Sequence, residues 1–204
     1  MAILSLEHHN NSELIANIAE VGYLQRDLAT CDPTHGLGNF WNDWVPDEAC
    51  QWFSDLAVEK SPQGYSIDFE HTPYDDGFFP QVIFDSPYKL SGTPGGVMDD
   101  NYGIDKYIDW RKRHAWIKRG ITEMTRILDP TGGVLIVKCM DQVCASRYRW
   151  QAREFAEHAE SLGLRLVDTA HVQSYRPQPG NRPQVHFHRG YSTALILTSH
   201  RRKW

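Results

Sequence analysis

The sequence predicts an α/β fold: a mostly parallel seven-stranded sheet with helices on both faces. Three observations predict it. Short apolar runs alternate with segments of helical period along the chain. Four early runs each end in an aspartate, at positions 32, 55, 68 and 85. The composition is that of a globular domain, 41% hydrophobic and 23% charged over 204 residues, which excludes wholesale disorder.

The elements follow in order. Asn11 or Ser12 caps a helix to about Val21, with Leu14, Ile15, Ile18 and Val21 on one face and Gly22 as its stop. Strands are expected at 28–31, 49–54, 65–67, 81–84, 134–138, 166–172 and 193–198. Helices are expected at about 105–127 and 147–162, the second ended by Gly163. Segments 89–104 and 174–191 read as long loops, which in compact domains usually serve function. There is no internal repeat and no low-complexity tract.

The length suits one domain rather than two. No apolar run approaches a membrane span, and Met1 to Asn11 does not read as a signal peptide. Cys31, Cys50, Cys139 and Cys144 show neither a paired motif nor metal-ligand spacing. They read as reduced thiols in a cytoplasmic protein with no metal site.

Charge is divided unevenly. Residues 1–105 hold 3 Lys/Arg and 18 Asp/Glu, a balance of −15; residues 106–204 hold 18 and 8, a balance of +10. The second half could present a basic face to a polyanion, or the halves could interleave and neutralise each other.

Four motifs carry chemistry. Asp32-Pro33-Thr34-His35-Gly36-Leu37-Gly38-Asn39-Phe40 places a glycine-rich turn after a strand, where a ligand can approach the backbone. A third glycine at the dinucleotide spacing is missing, which argues against a pyrophosphate site. Asp55 follows Asp32 by 23 residues at the next strand end, where a carboxylate can accept from ribose hydroxyls. Asp68-Phe69 pairs a carboxylate for an exocyclic amine with a ring to pack on a base. In Phe84-Asp85-Ser86-Pro87-Tyr88 an apolar strand runs into a turn stiffened by Pro87. The Asp85 carboxylate, the Ser86 carbonyl and the Tyr88 ring suit a flat ring bearing an amino group; the same residues also suit a plain β-turn under a tyrosine.

Together these motifs resemble the class I S-adenosylmethionine-dependent methyltransferases that modify amino groups, the DNA adenine-N6 and cytosine-N4 enzymes. Their signature, (D/N/S)-P-P-(Y/F) after the fourth strand, is matched by Asp85-Ser86-Pro87-Tyr88 at three of four positions, with Ser86 in place of a proline. Thr131-Gly132-Gly133 resembles the turn before the family's fifth strand. The likeness covers about residues 25–200 and is similar to short stand-alone phage and bacterial DNA methylases.

The resemblance implies one Rossmann-like methyltransferase domain over 1–204, with a cofactor half at about 12–84 and a catalytic, nucleic-acid-facing half at about 85–204. It implies S-adenosylmethionine as cofactor, held by Asp32, Thr34, His35, Gly36, Gly38, Phe40, Asp55, Asp68 and Phe69. It implies catalysis at Asp85, Ser86, Pro87 and Tyr88, where Asp85 and the Ser86 carbonyl accept the target amine's N–H groups and Tyr88 stacks on a flipped base. DNA is the implied partner, with adenine favoured. Cytosine, RNA or protein-glutamine methylation and a catalytically weakened binding relative are the alternatives. A homodimer or a specificity partner is compatible with so small a chain.

Lys89, Arg176, Arg182 and Arg189 are the expected phosphate contacts, and the basic residues of helix 105–127 are further candidates. Trp41, Trp44 and Trp110 are expected in the core, and His186 and His188 at the surface.

Overall fold

The computed structural model describes residues 7–90, 109–173, 185–187 and 189–199. Among them, β1 (Glu7–His8), β2 (Thr30–Asp32), β3 (Gln51–Phe53), β4 (Gln81–Phe84), β5 (Val134–Cys139), β8 (Arg165–Gln173) and β9 (Tyr191–Thr198) form a seven-stranded sheet. Its order is β1-β8-β9-β5-β4-β2-β3. β6 (Gln142–Cys144) and β7 (Arg147–Arg149) form a separate antiparallel hairpin. The pairs β1/β8, β3/β2, β2/β4 and β4/β5 are parallel, and only β9 runs antiparallel to its neighbours.

The central strands are mostly apolar because both faces are covered. Val82, Phe84, Leu135, Val137, Leu195 and Leu197 face α2 (Trp110–Ile127) and α3 (Gln151–Ser161), whose Ile117, Ile121, Met124, Phe155 and Ala159 complete one core. Ile83, Val134, Ile136, Ala194 and Ile196 face the other way, onto Leu14, Ile15 and Ile18 of α1 (Asn11–Glu20) and onto Trp41 and Phe53. Each strand's alternation thus feeds two layers.

The sheet has the expected strand number with one exchange. Residues 65–67 make a single parallel bridge, Ser66 to Asp55, and no strand. The run is only three residues between Gly64 and Asp68, and Tyr65 and Ser66 are exposed. The seventh strand is instead β1, in a stretch whose polarity disguises it. Other boundaries move: the strands expected at 28–31 and 49–54 run over Thr30–Asp32 and Gln51–Phe53, and two helix starts shift. The α1 cap is Asn10, whose side chain accepts from Glu13 N at 2.8 Å, since the Ser12 hydroxyl already accepts from Asp43 N. Residues 147–149 join the hairpin, and the helix begins at Gln151. Gly163, at φ 94°, ends that helix as expected. Residues 91–104 and 174–184, the helix start at 105–108, and His188 lie outside the described residues.

Gly120 lets α2 press directly on the sheet. A Cβ there would stand 2.6 Å from Phe84 Cζ and 2.8 Å from the Phe69 ring. Gly120→Ala is therefore expected to cost about 1–3 kcal/mol through overpacking. Urea unfolding reads it, and unchanged stability would mean that α2 and β4 separate without strain.

Candidate active site

The connections leaving β2 run to β3 on one side and, through β3, back to β4 on the other. That reversal makes the carboxyl ends of β2 and β4 the topological switch point, where open α/β sheets bind ligands. Asp32 and Asp85 stand at those two ends.

Asp32 is fully buried and saturated with donors. It accepts from Thr34 N at 3.0 Å, Thr34 Oγ1 at 3.1 Å and Trp41 Nε1 at 2.9 Å. Burial pushes its carboxyl up to about 6, while His35, Trp41 and Thr34 pull against burial. The Thr34 hydroxyl that donates to Asp32 also accepts from Asp85 N at 3.0 Å. One side chain therefore couples the two strand ends.

The glycine turn is held from below and behind. Gly36 and Gly38 sit at φ 58° and 71°, in the left-handed region. A Cβ on Gly38 would meet the His35 ring at 3.0 Å. His35 stacks on Phe53 with centroids 5.5 Å apart, and its Nδ1 lies 3.2 Å from the Lys60 carbonyl. Asp55 accepts from Gly36 N at 2.8 Å and from Ala57 N at 2.9 Å, so it braces this turn while keeping further lone pairs. Phe40 is buried at the turn's far end.

Asp68 and Phe69 divide. The Asp68 side chain is exposed and accepts from Glu70 N at 2.9 Å. Phe69 is buried in the core, 5.0 Å from Phe84 and 4.8 Å from Trp116. The expectation of a ring offered to a base at Phe69 is corrected: its hydrophobic surface is spent under α2.

The turn after β4 is pinned through its carbonyls. Ser86 O accepts from Tyr88 N at 2.7 Å, and Ser86 Oγ donates to Lys138 O at 3.2 Å. Pro87 O accepts from the buried Arg113 at 3.1 Å. Tyr88 O accepts from Gln142 Nε2 and Gln151 Nε2, each at 2.8 Å. The Ser86 carbonyl expected to receive a substrate amine thus already holds one donor and keeps one lone pair. Asp85 differs: its Oδ1 is buried with no hydrogen-bond partner. Burial raises its carboxyl, and Lys138 opposes the rise.

Lys138 is a site residue that the sequence motifs do not single out. Its ammonium is buried, bonds Asn11 Oδ1, and lies 5.2 Å from the Phe40 ring centre and 5.9 Å from that of Tyr88. The signal is nevertheless there, a lysine inside the otherwise apolar run Val134–Cys139. Arg113, Gln142 and Gln151 carry no such signal. Beside Asn11 opens a cleft of about 420 Å³, lined by Asn10, Asn11, Ser12, Asn39, Asn42, Asp43 and Val172.

The basic expectations are largely redirected. On α2, Lys118 pairs with Glu154, Arg119 with Glu70, and Arg126 with Asp76 and Glu123, so both halves of the chain supply acids to that helix. Arg189 is half-buried, bonds the Tyr191 hydroxyl and lies 4.8 Å from the Trp150 ring centre, which corrects its reading as a phosphate contact. Lys89 is half-buried beside Tyr88. Arg176 and Arg182 lie outside the described residues. Trp41 is in the core as expected and the half-buried Trp44 packs against it, whereas the Trp110 ring centre lies 3.6 Å from the Arg149 guanidinium and 4.6 Å from that of Arg111. Among the described residues no group of side chains has metal-ligand geometry, and no helix is long and apolar enough to cross a membrane.

No protein-family model and no curated protein matches the sequence. Solved structures do match. A chain of the Haloferax volcanii complex between the Trm112 methyltransferase activator and a candidate methyltransferase is 16% identical, with a TM-score of 0.55 over 92% of this chain and 89% of that one. The 4+2 cyclase SpnF is 18% identical, with a TM-score of 0.51 over 79% and 61%. A candidate DNA modification methylase from Thermus thermophilus is 15% identical over 61% of this chain, at a TM-score of 0.41 too low to carry an argument. This chain spans 46% of that structure's length. The fold is the Rossmann-like one of S-adenosylmethionine-dependent methyltransferases. Because a cyclase shares it, activity must be argued from the site.

The buried Asp32 has a consequence for stability. Between about pH 4 and pH 6 the folded carboxyl keeps a proton that the unfolded chain has lost, so its contribution falls as pH rises. Relative to Asp32→Asn, the parent protein should lose stability across that window in urea unfolding. Parallel pH profiles for the two would refute this role.

Proposed function

We propose that this protein is an S-adenosylmethionine-dependent methyltransferase acting on the exocyclic amino group of a DNA base, adenine N6 in the first instance. The carrying observation is the buried Asp85 Oδ1, an acceptor without a partner, one threonine away from the glycine turn. A buried acceptor left open is costly. An amino group that donates to it relieves that cost.

The residues fit such a cofactor in most respects. The Gly36–Gly38 turn lets a ligand approach the backbone, Asp55 keeps lone pairs for ribose hydroxyls, and the exposed Asp68 can accept from an adenine amine. Phe69 does not fit a stacking role. When bound, S-adenosylmethionine supplies an electrophilic sulfonium methyl group.

The chain's own residues prepare the nucleophile. The lone pair of an exocyclic amine is delocalised into its ring. Asp85 accepts one N–H and the remaining lone pair of Ser86 O accepts the other, which draws the nitrogen towards tetrahedral geometry and frees its lone pair. Tyr88 offers its ring to the base. Burial raises the Asp85 carboxyl, and the Lys138 ammonium opposes that rise, which favours its accepting, ionised form. No thiol is required, and burial pushes those of Cys31 and Cys139 well above their ordinary range. Positioning and fixed dipoles supply the rate.

Ser86, where the family has proline, is compensated here. The turn is held by Arg113, Gln142 and Gln151 through carbonyls that any residue supplies. This supports a working site rather than a decayed one.

The deciding experiment digests DNA treated with protein and S-adenosylmethionine to nucleosides for mass spectrometry, with tRNA and protein as parallel substrates. N6-methyldeoxyadenosine from DNA is the expected product. Asp85→Ala should keep cofactor binding in calorimetry yet lose about 10²-fold or more in transfer. Tyr88→Phe should be mild and Tyr88→Ala severe. A fully active Asp85→Ala protein, or methyl groups only on tRNA or protein, would overturn the assignment.

A further inference from the structure

A basic and aromatic surface adjoins the Asp85 turn and has no part in the chemistry above. After β5 the chain enters the β6–β7 hairpin. Gln142 of that hairpin donates to Tyr88 O and accepts from Leu90 N at 3.1 Å, so hairpin and turn share an edge. Residues 142–153 contain Arg147, Arg149 and Arg153 and no acidic residue. Residues 185–191 contain Arg189 and again no acidic residue.

The hairpin turns tightly through Ala145 and Ser146, at φ 51° and 61°. Such a turn favours asparagine and glycine, so this one is strained. It projects Tyr148 and Trp150, whose rings stack with centroids 5.0 Å apart. Arg189 lies 4.8 Å from the Trp150 ring centre and 5.5 Å from that of Tyr148, and the Tyr148 hydroxyl donates to the Phe187 carbonyl. The segment carrying Phe187 is thereby fastened to the hairpin. Yet Phe187 remains 89% exposed and Trp150 46% exposed, beside the exposed Arg147 and Arg153. Arg153 has only an exposed pair with Glu157, which a phosphate can replace at little cost.

We propose that the β6–β7 hairpin and the segment around Phe187 form a docking surface for single-stranded or locally opened nucleic acid flanking the target base. Phe187 and Trp150 stack on unpaired bases, and Arg147 and Arg153 contact phosphates. Exposed ring faces beside arginines are the chemistry of single-strand recognition. A paired duplex offers no free base faces to such rings, and the exposed Arg147 together with Arg153, whose exposed pair with Glu157 a phosphate can replace, favours a polyanion over a protein partner. The inference rests on the nucleic-acid reading under Proposed function and adds where the strand lies.

The test is fluorescence anisotropy of the full chain with a labelled mixed-sequence DNA single strand and its duplex across a salt series. Phe187→Ala should weaken single-strand binding by about 5- to 150-fold, the worth of one base stack, with a smaller effect on duplex. Arg147→Ala should reduce the single-strand salt slope by about 0.7. Both variants should keep the parent's melting temperature and S-adenosylmethionine affinity. Parent-like affinity and slope in both variants, with the parent binding DNA, would overturn this surface and leave the methylation reading standing. A parent that binds cofactor but no single strand or duplex would overturn both. Variants that bind DNA normally but change the sedimenting mass would make the surface a protein interface and likewise overturn the proposal.

Discussion

The site is organised around one buried carboxylate. Asp32 closes β2 without solvent and accepts three hydrogen bonds, two from Thr34 and one from the Trp41 indole. Those bonds orient the turn that follows β2. Through the Thr34 hydroxyl they also fix the backbone of Asp85 at the end of β4. A single ionisable group thus sets the distance between the glycine turn and the Asp85 turn. Burial makes that arrangement costly, and the three donors offset the cost.

The second turn is rigid for a different reason. Its residues barely bond one another; their carbonyls are held by side chains from α2, the hairpin and the start of α3. Gln151 is fully buried and also accepts from Met140 N, so one amide joins the exit of β5 to the turn after β4. This explains how Ser86 can stand where a ring would otherwise stiffen the chain. It also explains why Asp85 can keep an open acceptor: the backbone around it has no freedom to satisfy it.

The charge asymmetry of the chain is partly resolved inside the fold. Acidic residues of the first half meet the cations of α2 as Glu70–Arg119 and Asp76–Arg126 pairs. Those pairs span about fifty residues of sequence, and summing charges along the chain could not foresee them. The arginine-bearing hairpin has a local sequence that reads as the first turn of a helix.

The sequence by itself determined the α/β class, the central strands and the aspartates that end β2 and follow β4, Asp32 and Asp85, because apolar runs and turn residues act locally. It also placed the glycine turn and the Asp85–Tyr88 turn, whose signals lie in consecutive residues. Only the tertiary structure decided that Phe69 belongs to the core, that Arg189 clasps aromatic rings, that β1 supplies the seventh strand, and that Lys138, Arg113, Gln142 and Gln151 surround the Asp85 turn. These depend on which distant segments meet, and a side chain's role there is set by burial and by partners that sequence spacing does not encode.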